Sequence, residues 1–415
     1  MDVARRELRR LLLARALRAL ADGYVAVLLP TYLLALGHQA WAVGLISSGT
    51  LLGSALATLA LGAFGHRWPA RRLLTAAALL MAITGAAFGA ASGFWPLLVI
   101  AFVGTLNPSA GDVSVFLPLE HARLATLFEG DARTRAFARY TIVGSLSAAF
   151  GALLAGMPAW LAAAQQVDPL STMRAMFVLY GAVGLGVWAL YRGLPTDLRP
   201  AGQVQSAPLD ASRPVVVRLA LLFSVDAFAG GLVVNALLAL WLSTRFSLSA
   251  AQAGAFFFWA GLLTTASQWL APKVAERFGL LNTMVFTHIP ANLCLIGAAF
   301  APTLPLALGL LFLRSALSQM DVPTRSAFVM AVVTPAERPA AASFTAVPRS
   351  LAAALSPTLG GALFAAGFMA MPLALCGAVK IGYDLALWAA FRSHAGRGGS
   401  RTRRVICCNR QSSDL

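Results

Sequence analysis

A chain of 415 residues that is 59% hydrophobic and only 12% charged is not a water-soluble enzyme, whose charged share averages about a quarter. Nor is it a disordered chain, which needs the opposite composition. The net charge of +16 comes from 32 Lys and Arg spread over separate segments; that dispersal argues against nucleic acid as a partner and suits the cytoplasmic loops of a membrane protein.

A membrane-spanning helix needs about 20 mostly apolar residues. Windows of that kind fall at 13–36, 41–64, 73–92, 95–117, 136–160, 171–191, 215–242, 250–271, 280–300, 304–330, 342–367 and 370–391. The Arg-containing N-terminus could open a secretory signal, but no small-residue cleavage site follows. Arg15 and Arg18 interrupt the early apolar run, so an uncleaved first span is expected. With the N-terminus inside, nearly every Lys and Arg outside the spans, from Arg5 to the tail after Arg392, lies on one side. Only Arg174 and Arg245 lie on the other. Both termini are therefore expected in the cytoplasm, with the chain in the inner (plasma) membrane. Pro195, Pro200, Pro208 and Pro214 punctuate the longest polar break. The expected organisation is a six-helix half over 1–192, a cytoplasmic linker over 193–214, a second six-helix half over 215–392, and a basic disordered tail over 393–415. Four cysteines make no disulfide framework.

The halves repeat at an interval of roughly 205 residues. Asp22 is followed ten positions later by Tyr32-Leu33-Leu34-Ala35-Leu36, and Asp226 ten positions later by Ala236-Leu237-Leu238-Ala239-Leu240. Asp112-Val113 in span 4 answers to Asp321-Val322 in span 10. Span 5 opens Tyr140-Thr141-Ile142-Val143 and span 11 opens Phe344-Thr345-Ala346-Val347. His66-Arg67-Trp68 and Glu276-Arg277-Phe278 stand 210 apart. Two six-helix halves in parallel repeat characterise a large group of secondary transporters.

Leu29-Pro30-Thr31-Tyr32-Leu33, Gly37, Gly44-Leu45, and then Gly62 with Arg67, Arg71 and Arg72 make the sequence resemble the major facilitator superfamily. That family's signature after span 2 carries an acid and a second glycine where His66 and Pro69 stand here. The second half offers Glu276-Arg277-Phe278-Gly279, with Pro272 at the leading glycine. The resemblance implies an all-α polytopic membrane protein with twelve helices and alternating access. It also implies gating pairs, Asp112 with Arg67 or Arg71, and Asp321 with Arg277. Ser356-Pro357-Thr358-Leu359-Gly360-Gly361 in span 11 is similar to an element of the family's drug:proton antiporters, though those carry it in span 5; a kinked, closely packed helix is the plainer reading.

Ionisable side chains in hydrocarbon are costly, and each is a functional candidate. Asp22, Asp112, Asp226, Asp321 and Asp384 lie within spans, against Arg314, Arg349 and Lys380. Two acids are in surplus, and a buried carboxylate without a cation tends to keep its proton. Asp22 and Asp226, in the first helix of each repeat, are the proton-coupling candidates. Lys380 and Asp384, four apart, are expected to pair on span 12. Arg314 and Arg349 either neutralise aspartates or hold an anionic substrate by bidentate contacts. Asn107, Asn235 and Gln319 are polar groups expected near the cavity, and His288 is expected to be packed against neighbours. There is no phosphate loop and no clustered metal-ligand set, so neither a cofactor nor a metal is expected. The chain reads as a monomeric, proton-coupled transporter in a lipid bilayer. Export of a small apolar or amphipathic compound is the first reading; uptake or facilitated diffusion of a small anionic metabolite is the alternative. Arginines locked to aspartates would favour the first, and arginines facing open space the second.

Overall fold

The computed structural model describes residues 2–109, 114–195, 210, 212–334 and 337–411. Among them there is no β-strand. The first three spans are continuous helices: α1 (Asp2–Ala35), α2 (Ala40–Phe64) and α3 (Ala70–Ala90). Span 4 is broken into α4 (Phe94–Val103) and α5 (Phe116–Leu127), and span 5 into α6 (Gly130–Leu153) and α7 (Met157–Gln165). Span 6 is α8 (Pro169–Arg192). Span 7 is broken into α9 (Arg213–Gly231) and α10 (Asn235–Phe246). Then follow α11 (Ala250–Phe278) and α12 (Leu280–Ala299), a broken span 10 made of α13 (Leu304–Leu317) and α14 (Asp321–Val332), then α15 (Arg338–Ala365) and α16 (Met371–Gln411). These helices take up all twelve apolar windows. The stretch from Ser393, expected to be disordered, carries α16 on to Gln411; no proline after Pro372 interrupts it.

The breaks have local causes. Gly104 and Asn107-Pro108 stand in span 4, and Gly230-Gly231 end α9. Ala236 N–H at the start of α10 then donates to Pro108 O at 3.0 Å. In span 10 the helix restarts at Asp321 with Pro323 in its first turn, where the missing N–H costs no helical hydrogen bond. α5 and α14 begin 205 residues apart, so the repeat extends to the position where spans 4 and 10 unwind.

The chain gathers into two compact units. One holds Met1–Val204, Ala227–Leu262 and Ser350–Leu375; the other holds Gln205–Asp226, Leu263–Arg349 and Cys376–Leu415. In the first unit α3 packs on α8 and α1 on α6 through small residues that let backbones touch. A Cβ on Gly85 would stand 2.3 Å from Gly181 N, and one on Gly23 would stand 2.1 Å from Ala148 O. The Ser356–Gly361 element also serves packing, since Gly361 lies against Gly44, and Thr358 N–H donates to Ser48 Oγ at 2.9 Å. The second unit is built on an apolar cluster that includes Val216, Phe223, Met284, Phe328, Tyr383 and Leu387.

Among the described residues, seven stretches are long and apolar enough by themselves to cross a bilayer. Large apolar side chains such as Ile83, Trp95, Trp160, Leu221, Trp259 and Phe286 are exposed. On a soluble protein so much outward apolar surface would drive aggregation; a bilayer solvates it.

Candidate functional site

In the first unit, Asp22 on α1 is buried and forms no ion pair with a described residue. It is hydrogen-bonded by Asn107 of the unwound part of span 4, and lies in the field of Arg18 and Arg15. The break therefore brings together one of the coupling candidates and one of the cavity candidates. Below it Arg18 is paired with Glu120 of α5, a fully buried carboxylate. Tyr140 also donates to Glu120, and Tyr191 Oη donates to its Oε1 at 2.7 Å. One carboxylate thus ties spans 1, 4, 5 and 6. Arg123 Nε donates to Glu7 Oε1 at 2.6 Å beside it.

The second unit holds a longer chain of charges. Asp226 on α9 is clasped from two sides, by Lys380 Nζ of α16 at 2.5 Å and by Arg325 Nη1 of α14 at 3.1 Å. Arg325 also reaches Asp321 Oδ2 at 3.4 Å, one helical turn away. His288 Nδ1 of α12 stands 2.9 Å and 3.0 Å from the two oxygens of Asp384. All of these side chains are buried.

Two expectations change. Lys380 and Asp384 do not pair with each other: Lys380 turns to Asp226, and Asp384 to His288. Asp226 and His288 lie on neighbouring helices and offer closer partners than the next turn of α16. His288 is packed, as expected, but by a charged group. Asp321 does not meet Arg277. Eleven residues separate it from the end of α14, roughly 16 Å at the helical rise, so it sits well inside the span rather than at its loop; the exposed Arg277 guanidinium rests over its own neighbour Phe278, 5.5 Å from the ring centroid. Glu276 is exposed too.

Of the loop signature, Gly62 is exposed, with nothing near its Cβ position. Arg67 lies over Phe64 at 5.4 Å, Arg71 is half-buried, and Arg72 is exposed. Asp112, expected to meet Arg67 or Arg71, lies outside the described residues. Asn235 is half-buried at the start of α10. Gln319 sits in the break of span 10 and accepts from Gln268 Nε2 at 3.5 Å.

Arg314 and Arg349 are the arginines left over. Neither forms an ion pair or hydrogen bond with a described residue, and Arg314 Nε is buried without a partner. Arg349 is exposed and lies in the field of Arg325, Asp226 and Asp321. The neutralising cation is Arg325, which sequence reasoning passed over. The signal for it was present, since Arg325 stands four after Asp321 and 205 after Glu120, itself also overlooked. Spans 1 and 4 are joined by Arg18–Glu120, and spans 7 and 10 by Asp226–Arg325, with the signs exchanged.

The profile of the Major Facilitator Superfamily matches residues 11–320, and that match spans most of the chain. The protein belongs to the major facilitator superfamily. An uncharacterized membrane protein of Saccharomyces cerevisiae is 24% identical over 94% of each chain. An uncharacterized transporter of the superfamily from Enterobacter sp. (strain 638) is 25% identical over 71% of this chain and 74% of its own. Among solved structures, a D-xylose–proton symporter matches with a TM-score of 0.70 at 18% identity, covering 91% of this chain and 97% of its own. At that identity the likeness shows the fold alone. This member of the superfamily is thus a multi-pass secondary transporter of a small molecule and not an enzyme.

Proposed function

We propose that the protein carries a small organic anion across the membrane by alternating access, with proton uptake as the driving reaction. The observation that carries this reading is the fate of the arginines. Asp226 and Asp321 are neutralised by Lys380 and Arg325, so Arg349 and Arg314 are left without an acid. Unpaired guanidinium groups at membrane depth are expensive, and a carboxylate on the substrate would relieve that cost through charge-assisted hydrogen bonds.

On this reading the halves over 1–192 and 215–392 rock about the substrate, joined by the 193–214 linker. The arginine-rich ends face the cytoplasm, in the plasma (inner) membrane. Of the two coupling candidates, Asp22 fits better: it has no cationic partner in contact, whereas Asp226 is held between two. The protein works as a monomer.

The test is uptake by proteoliposomes of radiolabelled benzoate against its neutral isostere benzamide, acid outside. Benzoate is expected to accumulate and benzamide is not. Arg349→Gln should raise the KM for benzoate by tenfold or more, the loss of about 1.4 kcal/mol. Equal handling of amide and acid, with KM unmoved in Arg349→Gln, would remove the anion reading. Export of an apolar or amphipathic compound would then take its place.

A further inference from the structure

The break of span 4 leaves a hollow in the first unit. α2 and α4 touch backbone to backbone at Gly53, where a Cβ would overlap Phe102 O, but α4 ends one residue later, at Val103. Beyond that point α4 no longer covers α2 and α3. Ala57, Leu61 and Phe64 recur at helical spacing along one face of α2, and Leu73, Ala76 and Leu80 do so along α3. These two faces line a cavity of about 480 Å³, within the size range of small-ligand sites. Most of the residues around it are apolar, and Ala57 and Ala76 are exposed on it.

One end of the cavity is basic. Phe64 and Trp68, at the connection from α2 to α3, both line it and are exposed. The Arg67 guanidinium lies over the Phe64 ring, and Arg72 is exposed one residue before Leu73. From Gly23 to Gly111 the sequence has no Asp or Glu. Even with Asp112 counted, Arg67, Arg71 and Arg72 are three cations against one acid. Tryptophan beside arginine marks the headgroup level of a bilayer, and a surplus of arginine there attracts anionic lipid. Deeper in, an apolar hollow gives water no partners, while acyl chains surround it. The chain's own tail after Ser393 does not suit the site, since its arginines would be repelled. We propose that the cavity takes up an acyl chain of an anionic phospholipid whose phosphate is met by Arg67 and Arg72. The site stands apart from Asp22 and from the arginines of the second unit, and it does not depend on what the protein carries.

The full chain is reconstituted in phosphatidylcholine vesicles with a rising mole fraction of phosphatidylglycerol that carries a photoactivatable diazirine in one chain. The labelled residues are then mapped by mass spectrometry of peptides. Labelling at Phe64, Leu73 and Val103 should saturate, whereas labelling at Ile83 and Leu221, on exposed apolar faces, should rise in proportion to the probe. A phosphatidylcholine carrying the same diazirine chain should need a mole fraction about tenfold higher for half-saturation, the preference expected of two arginines at the membrane surface. Arg67→Gln with Arg72→Gln should bring the two probes together. Ala57→Leu should remove the saturable labelling by filling the cavity, as should Ala76→Leu, which serves if the first variant does not fold. Excess sn-glycerol 3-phosphate should leave the labelling unchanged; displacement by it would assign the site to a free anion and overturn the proposal. Labelling of the cavity that never saturates, equal half-saturation by the two probes in the parent protein, or saturable labelling undiminished in a folded filled variant would overturn it as well. None of these outcomes turns on how benzoate and benzamide are handled.

Discussion

At the scale of single residues, environment separates side chains of the same kind. Asp22 and Asp226 occupy equivalent places in the repeat, yet only Asp226 is held by two cations. Asp22→Asn is expected to abolish proton-driven accumulation of benzoate in proteoliposomes while downhill exchange survives, since the amide keeps the shape of the acid but has no proton to release. Accumulation undiminished in that variant would acquit Asp22. Outside the spans, Glu337 shows what dense hydrogen bonding does to a carboxyl group. The Ser212 side chain, the Asp210 N–H at 2.7 Å and the Thr334 hydroxyl at 2.8 Å hold it at about 2, below the ordinary 4.5. A depressed folded value stabilises the ionised form above about pH 4.5, and the contribution fades as pH falls towards 2. Glu337 thereby fastens the start of α9 to the loop before α15. Amide hydrogen exchange at Asp210 and Ser212 should quicken in Glu337→Ala near neutral pH, and in the native protein only as the pH drops through that window.

At the scale of elements, spans 4 and 10 show how sequence marks a break without announcing it. Their apolarity runs straight through, and hydropathy alone reads each as one helix. What ends α13 is the geometry of Ser318 to Met320, and what permits α14 to restart is Asp321 with Pro323 in the first turn. The freed backbone groups lie at membrane depth, a placement tolerated only where protein or a water-lined cavity covers them. The continuous helices obey a stricter rule, because backbones meet at Gly85 and Gly181. Gly85→Val would drive side-chain carbon into main-chain nitrogen, a contact that flexible neighbours cannot relieve. Overpacking of this kind costs about 1–3 kcal/mol where a core can yield, and more is expected here. A thermal-unfolding assay in detergent should show a lower Tm for Gly85→Val, with Gly186→Val, at an open position, as the unaffected control.

At the scale of the whole molecule, two charge clusters brace two sets of helices. Arg18–Glu120 holds α1 to α5, and Asp226–Arg325 holds α9 to α14. Buried pairs of this sort are poor evidence of net stability, but removing one partner strands a charge and costs about 3–5 kcal/mol. Glu120→Gln should therefore lower folded yield sharply. The double variant Arg18→Gln with Glu120→Gln should recover much of it, as judged by monodisperse protein in size-exclusion chromatography. Equal yields of single and double variants would mean that the pair does not brace the helices.

The sequence by itself determined that the chain lives in a membrane, how often it crosses, and that it is a repeat. Those properties follow from hydrophobicity and spacing along the chain, which neighbours in sequence settle between themselves. The fate of Gly44 and Gly361 was also within its reach, because glycine at a helix seam has few other uses. Partnership was not. Lys380 meets Asp226 across 154 residues, Arg18 meets Glu120 across 102, and Arg325 meets Asp226 across 99. Choosing among several buried cations requires the rotation of each helix about its axis, and that rotation is set by packing against non-neighbours. Only the tertiary structure could decide that Arg325 does the neutralising and that Arg314 and Arg349 are left over.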